Sequence, residues 1–437
     1  MAIGIGLLGL GTVGSGVTRI LQTPKGRQPL LRQLQLRRVG VRSLSKARDV
    51  TLPQGVLGDD LEAVVDDPGV ELVVEVLGGL EPARSLILRA IAAGKPVVTA
   101  NKAVIARHGA ELNAAAAEQG VYVLMEAAVG GGIPIIEPLK QSLGANRIER
   151  VSGIINGTTN YILSRMAEEG ISFAEALTAA QTLGYAEADP SADVDGHDAA
   201  DKIAIVAGLA FGGLVDRARV PTEGISRLQS ADIAYADKLG YCVKLLATAE
   251  RLDSAADGAE VLDVRVHPTL VPKTHPLAGV HGVNNAVLVE GDPVGRVMFY
   301  GPGAGSGPTA SAVVADMLNI AAIREVAEGS PRLDPLLAAS SWRQCRLAQP
   351  QRTRHRNYVR LGVVDNPGVI GGIGCCFGDE GVSIQSIVQT DPRRDGRDGA
   401  EIVVITHEVE EGRFQRALEH ICALPAVKGI ASIHRTL

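Results

Sequence analysis

Ionisable side chains are concentrated in residues 184–202, whose sequence is GYAEADPSADVDGHDAADK. Asp198 and Lys202 stand at positions i and i+4 of a predicted helix, so their side chains share one face. The helix continues as the apolar run Ile203–Phe211, which predicts that it is buried. A carboxylate–lysine pair at the mouth of a buried helix, beside a loop carrying Glu187, costs desolvation free energy. Such a pair either fixes packing or supplies a lysine with a tunable pKa, which suits a proton donor.

A glycine-rich loop near the N-terminus predicts a second site, which would bind a dinucleotide. The loop directly follows an apolar strand, opens a helix, and consists of Gly9, Leu10, Gly11, Thr12, Val13 and Gly14. Gly9 permits a tight turn, Gly11 lets a pyrophosphate approach the backbone, and Gly14 lets the helix and strand pack closely. The N-terminus of the helix then offers free N–H groups to the phosphates. Without these flanking elements, the motif would indicate only a turn.

The end of the second predicted strand bears on which nicotinamide is preferred. NAD enzymes usually carry an acidic residue there, which holds the ribose 2′-hydroxyl. Here Arg42, Ser43 and Lys46 precede the first carboxylate, that of Asp49. Because Arg42 could pair with a 2′-phosphate through charge-assisted hydrogen bonds, we expect NADP to be preferred, with NAD possible. The alternative is that Arg42 is a solvated surface residue.

The elements that must position these residues alternate between strands and helices. The strand candidates are Ile3–Leu8, Leu36–Val41, Leu72–Val76, Pro96–Thr99 and Val121–Met125, and the helix candidates include Gly14–Gln22, Pro82–Ala93 and Ala103–Gln119. This alternation predicts an α/β fold with a Rossmann-type, doubly wound parallel sheet. We assign residues 1–130 to this dinucleotide-binding domain, completed by a return helix at about 306–340. Residues 131–305 are predicted to form an α+β domain.

The character of the chain changes after residue 340. Residues 341–356 are polar and rich in arginine, and we interpret them as a solvated linker. A nucleic-acid-binding arm would be expected to interleave aromatic residues with the arginines, so we predict no nucleic-acid partner. Residues 357–437 alternate as strand, helix, strand, strand, helix, strand, which predicts a small βαββαβ domain. Its turn at residues 365–369, DNPGV, leaves helix N–H groups free for an anion or an amino-acid carboxylate.

The composition bears on several protein classes. The 437-residue chain is 46% hydrophobic and has a net charge of −6, which is typical of a soluble globular enzyme and favours neither nucleic acid nor an anionic membrane. The apolar run Ile203–Val215 falls short of the ~20 residues needed to span a bilayer. The five cysteines form no C-x-x-C pair, so we expect a reducing cytoplasm rather than a disulfide framework or a zinc site.

Together these motifs resemble those of homoserine dehydrogenases. Residues 180–202 match the family signature A-x-x-x-G-Y…D-P…D-[LIV]-x-G-x-D-x-x-x-K, and the segments ANK at 100–102 and NGTT at 156–159 extend the resemblance over nearly the whole chain. The resemblance implies reversible, NADPH-dependent reduction of L-aspartate 4-semialdehyde to L-homoserine, on the route to threonine and methionine. It also suggests a homodimer or homotetramer, with residues 131–305 as the catalytic and dimerisation domain. The C-terminal domain resembles an ACT domain, which implies feedback inhibition by threonine; the alternative is a dimerisation module without a ligand.

The resemblance implies catalytic and substrate-binding roles for particular residues. Lys202 resembles the proton donor, and Lys102 resembles a second catalytic lysine that faces both cofactor and substrate. Glu187 and Asp198 resemble the residues that bind the amino and hydroxyl ends of the substrate, Asp198 also belonging to the catalytic group. Further residues of the same pocket and of the cofactor site are Tyr185, Thr158, Gly184 and Gly303.

The segment 126–134, EAAVGGGIP, resembles one that binds a monovalent cation, Na⁺ or K⁺. In the family the ligands are backbone oxygens, at the positions that match Glu126, Val129, Gly131 and Ile133. Carbonyl oxygens suit hard cations. The glycines would equally serve a tight turn, so both interpretations stay open.

Three other proteins would share some of these features. A cysteine-dependent aspartate-semialdehyde dehydrogenase needs a thiol, and no cysteine lies in residues 1–241. A 3-phosphoglycerate-type dehydrogenase also ends in an ACT domain, but its dinucleotide loop lies in the middle of the chain. A nucleotide-sensing regulator would bind NADPH without turnover, and it would leave Glu187, Asp198 and Lys202 without a purpose.

Overall fold

The dinucleotide-binding region is built around a six-stranded parallel sheet with the strand order β3-β2-β1-β4-β5-β6. A computed structural model of the chain describes residues 2–252, 258–326, 333–338, 341, 343–390 and 400–437. The strands are β1 (Ile3–Leu8), β2 (Leu34–Gly40), β3 (Leu57–Gly58), β4 (Leu72–Glu75), β5 (Val97–Thr99) and β6 (Val123–Leu124). The helices are α1 (Thr12–Gln22), α2 (Leu61–Asp66), α3 (Ala83–Ala92) and α4 (Lys102–Gln119). The predicted doubly wound parallel sheet is confirmed.

The strand order reverses between β1 and β4, and this switch point locates the ligand crevice. In open α/β sheets, ligands bind outside the carboxyl ends of the strands where the order reverses. The glycine loop leaves β1 at that end, and Glu75 is the last residue of β4, fully buried beside it. Thr99 Oγ1, at the end of β5, donates a 2.6 Å hydrogen bond to Glu75 Oε2. The glycine loop and the segment before α4 therefore lie at the same edge of the sheet, at the carboxyl ends of its strands.

The second region combines helices with the long strands of a mixed sheet. Its helices are α5 (Ile136–Lys140), α6 (Gly157–Glu169), α7 (Phe173–Thr182), α8 (Ser191–Val194), α9 (His197–Phe211) and α10 (Ser230–Lys238). Its strands are β7 (Arg147–Ile154), β8 (Tyr241–Arg251), β9 (Glu260–Pro272), β10 (Asn284–Asp292) and β11 (Gly295–Pro302). Helix α9 is apolar on nearly every side, with Ile203 and Phe211 each 1% exposed, as its sequence predicts.

Helix α11 (Ser306–Val326) returns to the first region, as expected for the segment predicted at 306–340. A Cβ on Gly16, in α1, would lie 2.3 Å from Ser306 O. The glycine therefore allows α1 and α11 to pack closely. Residues 333–338 form a turn rather than a continuation of the helix, and the remaining residues of the predicted segment lie outside the described part of the chain. No helix in the described ranges is long and apolar enough to cross a membrane.

The last region is a βαββαβ unit. It comprises β13 (Arg354–Val363), α12 (Val369–Asp379), β14 (Ile384–Thr390), β15 (Ala400–Thr406), the short β16 (Val409–Glu410), α13 (Glu411–Cys422) and β17 (Val427–Thr436). Its sheet is not separate, because β17 pairs with β9 and creates one 11-stranded sheet. The segment predicted as a solvated linker, 341–356, contains the strand β12 (Cys345–Leu347), which also pairs with β9. Its backbone is held by the sheet because β9 still has unpaired edge groups there.

A buried ion pair joins this region to α10. Arg360 on β13 is 2% exposed and donates from Nε to Oδ1 of Asp232, a fully buried residue of α10, at 2.8 Å. Tyr358 Oη donates to the same oxygen at 3.2 Å, and Arg360 Nη1 donates to Glu401 Oε1 at 2.6 Å. Burial alone would raise the pKa of Asp232, but the His434 ring, 3.7 Å from Oδ2, and hydrogen bonds from Arg360 and Ser432 hold that pKa well below its usual range. The two regions are therefore fixed to each other by charge as well as by strand pairing.

Candidate active site

Asp198 is the centre of a cluster of charges between the first two regions. Its Oδ1 lies 2.8 Å from Lys102 Nζ, and its Oδ2 lies 2.8 Å from Lys202 Nζ. Lys102 is the first residue of α4, whereas Asp198 and Lys202 belong to α9. The Lys102 side chain is 40% exposed, compared with 12% for Lys202 and 7% for Asp198. One buried carboxylate therefore binds an ammonium group from each region, and the Lys102 side chain faces open space.

The electrostatics of the cluster favour its charged form. Burial alone would raise the pKa of Asp198, but the ammonium groups of Lys202 and Lys102 hold that pKa well below its ordinary range. The carboxylate of Asp198 in turn raises the pKa of Lys102 against the effect of burial. The pKa of the neighbouring Asp193 is raised, first by burial and then by the charge of Asp198. Asp198 is therefore an anion at neutral pH, and Lys102 is a cation.

Asn156 is a member of the cluster that the sequence did not single out for this role. Its Nδ2 donates to Asp198 Oδ2 at 2.9 Å and to Asp193 Oδ1 at 2.7 Å. Its Oδ1 accepts from Thr159 N at 2.9 Å and so caps α6. The sequence signal for Asn156 was its position directly before a helix, which predicts that it caps the helix. The carboxylates that the amide would reach are determined by the packing of α6 on α9.

The loop after α7 carries the other predicted substrate residues. Gly184, two residues after the end of α7, has a φ of +75°, and the loop continues through Tyr185, which is 44% exposed. Thr158 Oγ1 on α6 donates to Tyr185 O at 2.7 Å, so the loop is attached to the start of α6. Glu187 is exposed on this loop, and within the described part of the chain its carboxylate makes no hydrogen bond or ion pair. The structure thus brings Thr158 and Tyr185 together and leaves the Glu187 carboxylate apart from the Asp198 cluster.

The glycine loop has the backbone geometry that its spacing predicts. Gly9 has a φ of +104°, and a Cβ there would lie 2.8 Å from Val76 O. A Cβ on Gly14 would lie 2.1 Å from Gly9 O, whereas a Cβ on Gly11 would meet no atom within 4 Å. Leu10 is buried, and the loop ends as Thr12 and Val13 begin α1. Two of the glycines are therefore required by packing, and Gly11 borders open space at the start of the helix.

Arg42 lies at the entrance of the same crevice. Its Nη2 donates to Leu77 O at 3.3 Å, and its side chain is exposed. Because Gly9 packs against Val76 and Leu77, this contact keeps Arg42 beside the glycine loop. Arg48 stabilises the loop after Arg42 by donating from Nη2 to Ser43 O at 2.5 Å.

The segment around residues 126–133 is folded tightly against the loop after β11. Glu126 is 4% exposed, and its carboxylate accepts from the N–H groups of Ile135, Ile136 and Glu137 at 2.6–3.0 Å. A Cβ on Gly131 would lie 2.3 Å from Gly303 O, and one on Gly303 would lie 1.2 Å from Asn285 Oδ1. Only glycine fits at either position, so two loops approach each other through their backbones.

Several oxygen atoms in this segment lack a hydrogen-bond donor. Within the described residues, the backbone oxygens of Val129, Gly131 and Ile133 accept no hydrogen bond, although all three residues are buried. Asp316 on α11 accepts from Glu126 N at 2.8 Å through Oδ2, while its Oδ1 is buried without a partner. Burial raises the pKa of both Glu126 and Asp316. Such oxygens suit a hard monovalent cation, so the residues present fit one. The fit rests mainly on backbone oxygens, because the described residues contain no group of three or more His, Cys, Asp or Glu residues that could hold a metal ion.

Three family models match the chain. The NAD-binding domain of homoserine dehydrogenase matches residues 9–126, homoserine dehydrogenase itself matches residues 134–318, and the ACT domain matches residues 357–426. A homoserine dehydrogenase of Synechocystis sp. is 60% identical, and the alignment covers 100% of both chains. That of Corynebacterium glutamicum is 42% identical over 99% of this chain and 95% of the relative.

Solved structures agree with these matches. A homoserine dehydrogenase from Thiobacillus denitrificans superimposes with a TM-score of 0.90 at 42% identity, covering 100% of this chain and 98% of the other. A hyperthermophilic archaeal homoserine dehydrogenase in complex with NADPH superimposes with a TM-score of 0.61 at 27% identity, covering 74% of this chain and 98% of the other. The resemblance seen in the sequence motifs is therefore confirmed.

The glycine loop predicts that Gly14→Ala and Gly11→Ala will fail in different ways. We expect Gly14→Ala to lower the melting temperature, because its Cβ would overlap Gly9 O. We expect Gly11→Ala to keep the wild-type melting temperature and to weaken NADP binding about tenfold or more, because the added methyl group blocks the approach of the pyrophosphate. Calorimetric titration and thermal melting measure both quantities. The control is Gly58→Ala, whose Cβ also meets no atom within 4 Å but lies in β3. Unchanged NADP affinity in Gly11→Ala would rule out this binding mode.

Proposed function

Since the chain belongs to the homoserine dehydrogenase family, NAD(P)-dependent oxidoreductases acting on a CH–OH group, we propose that it reduces L-aspartate 4-semialdehyde to L-homoserine reversibly, with NADPH. The observation that carries this proposal is the Asp198 carboxylate bound by Lys102 and Lys202 at the mouth of the dinucleotide-binding region. In the cell this reaction would serve threonine and methionine synthesis.

Lys202 is proposed to be the proton donor. Its Nζ donates to Ile155 O at 2.7 Å and to Asp198 Oδ2 at 2.8 Å, which leaves one N–H of an ammonium group for the substrate oxygen. NADPH, when bound, supplies the hydride that reaches the aldehyde carbon. As negative charge develops on the oxygen, the ammonium group stabilises it and gives up a proton, a general-acid contribution of about 10²–10⁴ in rate. Asp198 orients the lysine through this reaction, and Lys102 adds a second positive charge.

The substrate's amino end is proposed to bind on the loop after α7. Glu187 is exposed there, and within the described ranges its carboxylate has no cationic partner, so it is available to an ammonium group. The contact between Thr158 Oγ1 and Tyr185 O holds this loop against α6. Because Glu187 does not contact the Asp198 cluster, the two ends of a short amino-aldehyde would bind to separate groups. Gly184 provides the turn that allows the loop to leave α7.

NADP is proposed to be preferred over NAD. The support is the position of Arg42 beside the glycine loop and the absence of a carboxylate between residues 42 and 48 of the sequence. The adenine ribose would lie at the end of β2, where the guanidinium can form charge-assisted hydrogen bonds to a 2′-phosphate. Gly303, which packs against Gly131, would border the nicotinamide end.

A monovalent cation is proposed to bind the segment around residues 126–133. The buried, unpaired backbone oxygens of Val129, Gly131 and Ile133 support it, as does the unpaired Oδ1 of Asp316 nearby. Glu126 O would complete the backbone set. A Na⁺ or K⁺ ion there would stabilise the approach of the two glycine loops rather than take part in the chemistry.

The ACT domain is proposed to bind threonine as a feedback inhibitor. A cavity of about 480 Å³ lies at the start of α12 and is lined by residues 365–371 and Gln389. Gln389 Nε2 donates to Asp365 Oδ1 at 3.0 Å, and both residues line the cavity. The free N–H groups at the start of α12 suit the carboxylate of an amino acid. An oligomer, a homodimer or homotetramer, is proposed as well, because the edge strand β11 exposes Met298 (40%) and Tyr300 (54%).

The decisive assay is the initial rate of NADP reduction when L-homoserine is added to the purified chain at mildly alkaline pH, with and without threonine. We expect a homoserine-dependent rate that threonine lowers. A rate that is indifferent to threonine would favour the ACT domain as a dimerisation module. No rate with NADP or NAD, from folded protein that still binds the cofactor, would favour a nucleotide-sensing regulator.

Substitution of Lys202 tests the proton donor. We expect Lys202→Ala to lower kcat for homoserine oxidation by about 10²–10⁴-fold and to leave the affinity for NADP unchanged, since the lysine acts on the substrate oxygen. Lys273→Ala, which removes an exposed lysine paired with Asp237, is the control. Near-normal turnover in Lys202→Ala would exclude the assignment.

Substitution of Arg42 tests the cofactor preference. We expect Arg42→Ala to raise KM for NADP roughly tenfold and to leave KM for NAD unchanged, because only NADP carries the 2′-phosphate. Arg37→Ala is the matched control, since Arg37 is an exposed arginine on β2, the strand that precedes Arg42. If both KM values stay at the wild-type level in Arg42→Ala, Arg42 is a surface residue without a role in cofactor choice.

A further inference from the structure

Asp201 lies on α9 between the two residues of the proposed catalytic pair, yet it binds different partners. It is 5% exposed, and its two oxygens each accept from an arginine. Arg107 Nη1, on α4, lies 2.9 Å from Oδ2, and Arg217 Nε, from the segment after α9, lies 2.7 Å from Oδ1. In the family signature D-x-x-x-K, position 201 is the last of the three unspecified positions between Asp198 and Lys202. This carboxylate is therefore not explained by the reaction itself.

The Arg107–Asp201 ion pair is the second link between the same two helices. The first is the Lys102–Asp198 pair, so α4 contributes both cations and α9 both carboxylates. A single ion pair allows one helix to pivot or slide about the contact. Two ion pairs separated along both helices resist rotation and sliding, because either motion must break one of them. The register of α4 on α9 is thus fixed at two points.

The two arginines have separable roles. Arg217 belongs to the same region as α9, is 13% exposed, and also donates from Nη2 to His197 O at 3.3 Å. It holds the Asp201 carboxylate in one orientation without linking the regions. Arg107 is 39% exposed, also donates to Ala103 O within its own helix at 3.2 Å, and is the only one of the two that reaches across from the dinucleotide-binding region.

We propose that Asp201 and Arg107 are positioning residues, which align the dinucleotide-binding region with the helix carrying Asp198 and Lys202 for hydride transfer. The inference rests on the proposed function, because it assumes that Asp198, Lys202 and Lys102 surround the reacting atoms. The cofactor binds on one side of the boundary and the proton donor lies on the other. A displacement of about 1 Å between reacting groups can cost roughly 10²-fold in rate, so the register of the helices controls kcat.

The test compares Arg107→Ala, Asp201→Asn and the double variant in homoserine oxidation. We expect Arg107→Ala to lower kcat about tenfold, with the NADP dissociation constant and the melting temperature close to wild type, because a partly exposed link is lost while both regions stay folded. The double variant should be no slower than Asp201→Asn alone, since both substitutions remove the same ion pair. Arg107→Lys, which keeps the charge, should restore part of the lost kcat.

Two matched controls separate alignment from general stability. Arg84→Ala removes the ion pair between Arg84 on α3 and Glu111 on α4. This pair also involves the helix of Arg107, but it lies within the dinucleotide-binding region. Arg217→Ala removes the partner of Asp201 that does not cross the boundary. We expect Arg84→Ala to keep the wild-type kcat, and Arg217→Ala to lower the melting temperature more than Arg107→Ala does.

Three results would overturn the positioning role. The first is a kcat for Arg107→Ala equal to that of Arg84→Ala. The second is a loss of kcat that follows the melting temperature equally in Arg107→Ala and Arg217→Ala. The third is additive losses in the double variant. Lys202→Ala in the same assay separates this failure from failure of the proposed function: if Lys202→Ala retains turnover, the chemistry is misassigned, whereas its inactivity beside a normal Arg107→Ala refutes only the positioning role.

Discussion

The structure depends above all on the burial of the Asp198 carboxylate between two lysines. A buried anion with one partner removed is strongly destabilising, so α4 and α9 must stay in contact for the charge to remain neutralised. Lys102 comes from the dinucleotide-binding region and Lys202 from α9, which means that a single charge requirement joins that region to α9. The same requirement holds the ammonium group of Lys202, the residue proposed to donate the proton. Fold stability and chemistry therefore share one interaction.

Close backbone approaches provide the space around this charge. Gly14 packs on Gly9, and Gly131 packs on Gly303, each at a distance that no side chain would permit. These contacts bring the start of α1 and the loop after β11 to one crevice while leaving the space beside Gly11 open. The crevice is thus shaped by the absence of side chains at a few positions, and its charge is supplied by the helices that surround it.

The ACT domain is attached to this arrangement by an unbroken sheet. Strand β17 pairs with β9, and Arg360 forms a buried ion pair with Asp232 on α10. Ser230, the first residue of α10, donates to Ile171 O in the segment between α6 and α7. The ACT sheet is therefore connected, through α10, to the segment between α6 and α7, next to the proposed substrate residues on α6 and the loop after α7. The ACT domain and the region of the candidate active site are thus physically continuous.

The sequence by itself determined the features whose requirements are met by neighbouring residues. The glycine loop, the α/β alternation, the Asp198–Lys202 pair at i and i+4 and the βαββαβ order of the last region all follow from local spacing, and the structure has each of them. The tertiary structure alone decided that Lys102 and Asn156 meet Asp198, that Arg107 meets Asp201 from 94 positions away, and that residues 345–347 join the sheet rather than remain a solvated linker. These contacts depend on the register of one element against another. Packing of many side chains sets that register, and no local pattern encodes it.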